Sequence, residues 1–384
     1  MSSVFELNPT FSFTLLGTFV IYLWTRPSRP ALLAVVIGAI GLRVACIRLM
    51  GGLGSYYGVS WITWGAFLGI TSMMVLAVQM VRSRRRSTDA KGISYRQAFY
   101  SGAVFPLCSL LVGDALPATE WLRPRTYDAY LLAFDGSLGF QPSFVLARLL
   151  PVGSNRWGLM TVAYYALPLV VCTLYASHLA SNRAGKRQPV LILALFLSMM
   201  VAGFVPYLIY PAAGPLHAFA GFYPGTVPLL NAIQPMSVPG APRNCMPSLH
   251  LAGALAVWRN SRLWPRLGRL LAALFLFATI LSTLSLGEHY LADLIVAVPF
   301  TMIFQAAWTV AVPLTASVRR VPIVVGTILT AGWIALLRYG LDLFRISPVI
   351  PWSLCLLTIG SCLALEKRLS DSAATAKAAL DSGS

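Results

Sequence analysis

The 384-residue chain is 57% apolar and only 11% charged, with a mean hydropathy of +0.73, a balance that excludes an ordinary soluble domain. Its formal net charge of +17 would suit nucleic acid in a soluble protein. Here the basic residues concentrate in alternate loops and the tail, as the positive-inside rule requires, and no nucleic-acid motif accompanies them.

A membrane span needs about 20 mostly apolar residues, and such runs recur along nearly the whole chain. The opening MSSVFELNP lacks a basic n-region, so the first apolar stretch reads as a span rather than a cleavable signal. Eleven helical spans are predicted, at about residues 10–25, 31–49, 59–81, 98–115, 158–180, 189–210, 248–260, 268–286, 290–313, 321–339 and 349–365. The fold class is therefore all-α, a polytopic membrane helix bundle.

Under that count the basic clusters fall on one side: Arg26 and Arg29; Arg82, Arg84, Arg85, Arg86 and Lys91; Arg183, Lys186 and Arg187; Arg259 to Arg269; Arg319 and Arg320; Lys367 and Arg368. This predicts an external N-terminus, a cytoplasmic C-terminus and two long outer loops, 116–157 and 211–247. Those loops carry Gly, Pro and aromatic residues, with Glu120, Asp128 and Asp135, a composition suited to folded segments lying against the membrane. The Ala/Ser-rich tail from about Ser370 is expected to be disordered. No internal repeat is visible. The six cysteines, at 46, 108, 172, 245, 355 and 362, show no metal-ligand spacing, and Cys245 alone sits in an outer loop.

Two polar stretches carry the chemistry. The first, Arg243-Asn244-Cys245-Met246-Pro247-Ser248-Leu249-His250, opens a helix. Free backbone N–H groups and the helix dipole attract phosphate there, and Arg243, Asn244 and Ser248 add donors. The second runs from Ser282 to Asp293 and holds His289 and Asp293. On a helix, residues four apart share a face, so the carboxylate is expected to hold one imidazole nitrogen and make the other more nucleophilic. The topology puts Arg123, Arg243, His250 and His289 on one side of the membrane, and ionisable residues in such places are functional candidates. Asp114, Glu120, Tyr127, Asp128, His217 and Tyr290 are candidate head-group contacts, with a bland reading open for Asp114 and Glu120 as solvated helix-end carboxylates and for His217 as a loop residue.

These stretches resemble the type-2 phosphatidic acid phosphatase superfamily of lipid phosphate phosphatases and phosphotransferases. Pro247-Ser248-Leu249-His250 matches its P-S-x-H motif. Ser282, His289 and Asp293 match S-R-x5-H-x3-D except that Thr283 replaces the arginine. Its K-x6-R-P motif is kept only as Arg123-Pro124, with Leu116 in the lysine's place. Those departures, with Tyr127-Asp128 and the HYxxD form at His289, look more like the inositol phosphorylceramide synthase branch.

The resemblance implies a six-helix catalytic core at 98–313, with three helices and a basic loop before it (1–97) and two helices and a polar tail after it (314–384). It also implies a metal-free, cofactor-free mechanism in which His289 is the nucleophile, Asp293 its orienter and His250 the acid/base. Arg243, Asn244, Ser248 and Arg123 would hold the phosphate. The substrates would be a lipid phosphate or phospholipid and a lipid or alcohol acceptor, handled at the outer face of a plasma membrane of bacterial inner-membrane type. A cradle short of cations favours the single charge of a phosphodiester, hence phospho-head-group transfer, with a phosphatase of lipid phosphate monoesters or polyprenyl phosphates as the alternative. A lipid transporter is the reading of another class, with Arg43 and Arg338 as its candidate buried charges.

Overall fold

The computed structural model describes residues 9–50, 60–83, 93–151, 153–182 and 188–382. Arg84 to Arg86, Lys91, Arg183, Lys186 and Arg187, used above for topology, lie outside the described residues. In chain order the helices are α1 (Pro9–Leu23), α2 (Arg29–Met50), α3 (Ser60–Ser83), α4 (Tyr95–Leu122), α5 (Asp128–Ser137), α6 (Pro142–Leu149), α7 (Asn155–Tyr165), α8 (Leu167–Asn182), α9 (Ile192–Ile209), α10 (Pro215–Ala218), α11 (Leu249–Asn260), α12 (Arg266–Ser285), α13 (Leu291–Ala307), α14 (Ser317–Tyr339), α15 (Leu341–Ile346) and α16 (Val349–Ser382). A two-residue antiparallel pair, Arg125–Thr126 with Met236–Ser237, ties the two long loops together.

All eleven expected spans are helical, but among the described residues seven helices are long and apolar enough to cross a membrane alone: α2, α3, α4, α9, α12, α14 and α16. An eighth span forms if α7 and α8, bent by 46° at Ala166, are taken together. The other three of the eleven are short, with 15 residues in α1, 12 in α11 and 17 in α13. The chain has the character of an integral multi-pass membrane protein. The tail expectation needs correction, because α16 continues to Ser382. Its Ala-Ala-Thr-Ala-Lys-Ala-Ala-Leu run has high helix propensity, which low hydrophobicity does not cancel.

The chain divides into two compact units, residues 1–114 with 165–186, and residues 115–164 with 187–384. In the first, α1 packs against α3 and α8, and α2 against α3. Gly69 lets α3 approach α1 so closely that a Cβ there would lie 2.0 Å from the Leu15 carbonyl oxygen. This is small-residue packing of the kind membrane helices use in place of a hydrophobic driving force. Hydrogen bonds from Thr18 to the Gly102 carbonyl and between Ser101 and Tyr175 add polar ties.

The second unit is built round α13, which touches α9, α11, α14 and α16. A helix apolar on every face belongs in the middle of a bundle, and most residues of α13 are buried. At one end, buried Arg319 donates to the carbonyls of Ala306, Ala307 and Val312, satisfying acceptors that a helix C-terminus leaves open. Asn260 and Gln305 pair between α11 and α13. At the opposite end a core of Phe134, Phe144, Tyr210, Met246, Tyr290, Trp333 and Phe344 joins the loop segments to α14 and α15.

Candidate active site

His250 and His289 come together at that loop-covered end of α13. Ser248 caps α11, accepting the Leu251 N–H at 3.3 Å, so His250 lies in the first turn and Pro247 just before the cap. The Met246–Pro247 peptide bond is cis. The ring of Tyr164 stacks on His250 with centroids 3.8 Å apart, and the His289 ring lies 6.3 Å from that of His250.

His289 does not share a helix face with Asp293. The helix starts at Leu291, Tyr290 is its N-cap and Asp293 sits at N3. Local backbone chemistry decides this, since a carboxylate at N3 is well placed to take up an unpaired amide. Asp293 Oδ2 accepts the Tyr290 N–H at 2.8 Å and the Cys245 thiol at 2.7 Å, leaving 3.6 Å to His289 Nδ1. Nδ1 is instead 2.9 Å from the Cys245 carbonyl oxygen. A carbonyl can only accept, so Nδ1 carries the proton and Nε2 the lone pair.

Cys245 is the loop's junction. Its N–H donates to the Ala212 carbonyl, its carbonyl holds His289 and its thiol reaches Asp293. No spacing rule points to it, because its partners are 33 to 48 residues away in sequence. The His289 backbone is pinned from both sides: its N–H donates to the Thr283 carbonyl, and its carbonyl accepts the Ser143 hydroxyl. Burial of the ring pushes its pKa down to about 4 although the Cys245 carbonyl favours the charged form, so His289 is neutral at pH 7.

Two buried carboxylates set the supporting frame. Asp128 accepts the N–H groups of Ala213 and Gly214 and the Tyr290 hydroxyl. Asp135 accepts the N–H groups of Leu291 and Ala292 at the start of α13. Burial raises both pKa values, Asp135 to about 8, against the lowering effect of those donors. Gly214, at φ +90°, runs against the turn that precedes His289, where a Cβ would meet the Glu288 carbonyl oxygen at 2.4 Å.

Residues 129–307 match the family model described as the PAP2 superfamily. That segment is similar to the superfamily and makes up somewhat less than half of the chain. It contains His250, His289 and Asp293, and it supports a phosphatase-type activity on lipid phosphates in general. No curated protein and no solved structure matches the chain.

Other anticipated positions around this segment are placed differently. Arg243 is buried, and its guanidinium donates to the carbonyls of Arg123, Pro124, Val238 and Ala241. It braces the two long loops, with most of its five N–H groups committed, and burial lowers its pKa. Asn244 is half-buried and Arg123 exposed. Glu120 accepts the Gly240 N–H and lines, with Pro117, Trp121, Ser237 and Arg243, a cavity of about 370 Å³ whose lining includes neither histidine. Tyr127 packs on Tyr210 beneath the Arg338 guanidinium, which lies 4.8 Å above its ring. That contact brings the C-terminal end of α14 to the tyrosine next to Asp128. Tyr290 is buried against Asp128, while Asp114 and His217 are exposed on α4 and α10. Buried Thr283, where the superfamily's arginine is expected, bonds back to carbonyls of its own helix.

Among the described residues, Cys245, His289 and Asp293 are the one trio whose ligand atoms, all within 4.8 Å of one another, are suited to a cation. Binding there through Nδ1 would require that nitrogen to give up its proton and the Cys245 carbonyl.

Proposed function

We propose that the chain is a membrane-embedded lipid phosphotransferase that moves a phospho-head-group between lipids through a phosphohistidine. The observation that carries this reading is the hydrogen bond from His289 Nδ1–H to the Cys245 carbonyl. It leaves a neutral Nε2 lone pair beside His250.

In the first step, with His250 protonated, Nε2 attacks phosphorus, an N–P bond forms, the bond to the leaving oxygen breaks, and the His250 imidazolium gives that oxygen its proton and becomes neutral. In the second, His250 takes the proton of an acceptor alcohol, whose oxygen attacks the phosphohistidine and releases His289. Asp293 acts through the Cys245 loop, and no step requires a metal. Tyr164, stacked on His250, fixes the plane of the acid/base. Ser248, Asn244 and exposed Arg123 remain for the phosphate oxygens, with Arg243 shaping the loop that presents them. A site with Leu116 and Thr283 in place of cations, and with Arg243 committed to carbonyls, suits the single charge of a phosphodiester. The distribution of basic residues supports an outer-face site and a cytoplasmic C-terminus.

Purified protein supplied with phospholipid carrying a labelled phosphate, with and without a lipid alcohol, tests the assignment. Label in a new lipid only when acceptor is present is the expected result. Turnover of lipid phosphate monoesters with no transfer from phospholipid would make the protein a phosphatase, the second reading, which the superfamily match itself favours.

A further inference from the structure

The end of the second unit opposite the histidines holds a cavity of about 380 Å³ lined by Trp258, Arg259, Ser261, Arg262, Arg266 and Arg269, where α11 turns into α12. At about 1.5 Å per residue, Arg259 lies roughly 14 Å along α11 from His250, so this cavity is separate from the catalytic cluster.

Positive-inside topology accounts for Arg262, Arg266 and Arg269, which are exposed. It does not account for Arg259, whose side chain is 6% exposed and forms an ion pair with equally buried Glu366 of α16. That pair leaves the Arg259 Nε and Nη2 groups without a hydrogen-bond partner. A buried guanidinium is costly unless its donors are met, and here the unmet donors border a cavity. Four arginines face one carboxylate, so the local balance is strongly positive. At the rim, Trp258 and Leu270 are exposed, and Leu267, Leu271 and Leu274 continue an apolar surface along α12. The arrangement has charged forks above an acyl-chain surface, the form in which bundles take lipid head groups.

We propose that this cavity binds a phosphate group, presented by the head group of an anionic phospholipid whose chains lie along α12. Arg259 meets the phosphate from within, while Arg262, Arg266 and Arg269 close around it. The contact would fasten the α11–α12 turn to the bilayer at the end of the unit remote from the chemistry.

The test uses the full-length protein in neutral detergent, with native mass spectrometry and unfolding temperature as readouts. Phosphatidylglycerol, phosphatidylcholine and inorganic phosphate are the probes. The variants are a pocket triple, Arg262→Gln/Arg266→Gln/Arg269→Gln, and a charge-matched control, Arg320→Gln/Lys367→Gln/Arg368→Gln, all at exposed positions. The wild type should retain one phosphatidylglycerol in preference to phosphatidylcholine and unfold at a higher temperature with it. The pocket triple should bind about 100-fold more weakly, taking each arginine at about a single charge contact, and the control triple should behave as wild type. If the pocket triple does not fold, the three single variants should each weaken binding by about 5-fold. Inorganic phosphate that stabilises the protein as well as the lipid does would identify a free-phosphate site and overturn the lipid source. Equal retention of phosphatidylcholine, unchanged binding by the pocket variants, or equal loss in the control triple would overturn the site.

Discussion

Arg243 separates two accounts of the phosphate cradle by a single substitution. If its guanidinium contacts substrate, Arg243→Lys should weaken substrate binding and leave the fold intact. In the structure the side chain is 1% exposed and spans the carbonyls of Arg123, Pro124, Val238 and Ala241. Lysine keeps the charge but is a point donor that cannot reach four acceptors in a planar fork. Hydrogen bonds to a charged group contribute about 1.5–3 kcal/mol each and do not add fully. Losing two or three of them should therefore lower stability by about 3–5 kcal/mol. Titration with a denaturing detergent, followed by tryptophan fluorescence, should show Arg243→Lys unfolding well before wild type, with His289→Ala as an inactive but stable control. An Arg243→Lys protein that unfolds with wild type yet needs far more substrate for half-maximal rate would refute the reasoning and put the guanidinium on the phosphate.

Three further outcomes follow from the same geometry. Tyr164→Leu should lower turnover by about 10-fold by releasing the His250 ring, while Tyr164→Phe, which keeps the stack, should stay within about 2-fold; steady-state rates in mixed micelles check both. Gly214→Ala combines a positive φ with a clash at the Glu288 carbonyl, so it should cost at least about 1–3 kcal/mol and remove most activity, read by unfolding and turnover together. With His289 pushed down to about 4, the nucleophile stays neutral until the medium is quite acidic. The acid limb that reports it should lie near pH 4 rather than 6.5, and stability should fall as pH drops from about 6.5 to 4, because only the unfolded chain takes up that proton over that window. A limb near 6.5 in a pH profile of kcat/KM would place the ring in an open, hydrated site instead.

Apolar run length was enough to find the helices, because a membrane helix must satisfy its backbone internally and announces itself by composition. The number of complete crossings was less legible. The short α1 and α11 were visible as short apolar runs, whereas the bend at Ala166 and the early end of α13 at Ala307 fall inside runs that read as continuous spans. Elements inside the two long loops, α5, α6 and α10, are too short to have a clear period. For the site, motif spacing picked out His250, His289 and Asp293 and, with topology, anticipated that they would meet. It could not reveal that Nδ1 of His289 is held by the Cys245 carbonyl, since a backbone acceptor 44 residues away leaves no mark on side-chain identity. Arg243 shows the same limit. An arginine beside a phosphate motif and an arginine bracing two loops have the same sequence, and only the carbonyls around the fork tell them apart.

The phosphohistidine is the central claim, and trapping it is the direct measurement. Protein mixed with phospholipid carrying a radioactive head-group phosphate, quenched within one turnover and digested, should yield one acid-labile, alkali-stable labelled peptide containing His289. His289→Ala should give neither label nor turnover. Continued turnover by His289→Ala, or single-turnover wild-type protein with no label on His289, would contradict it.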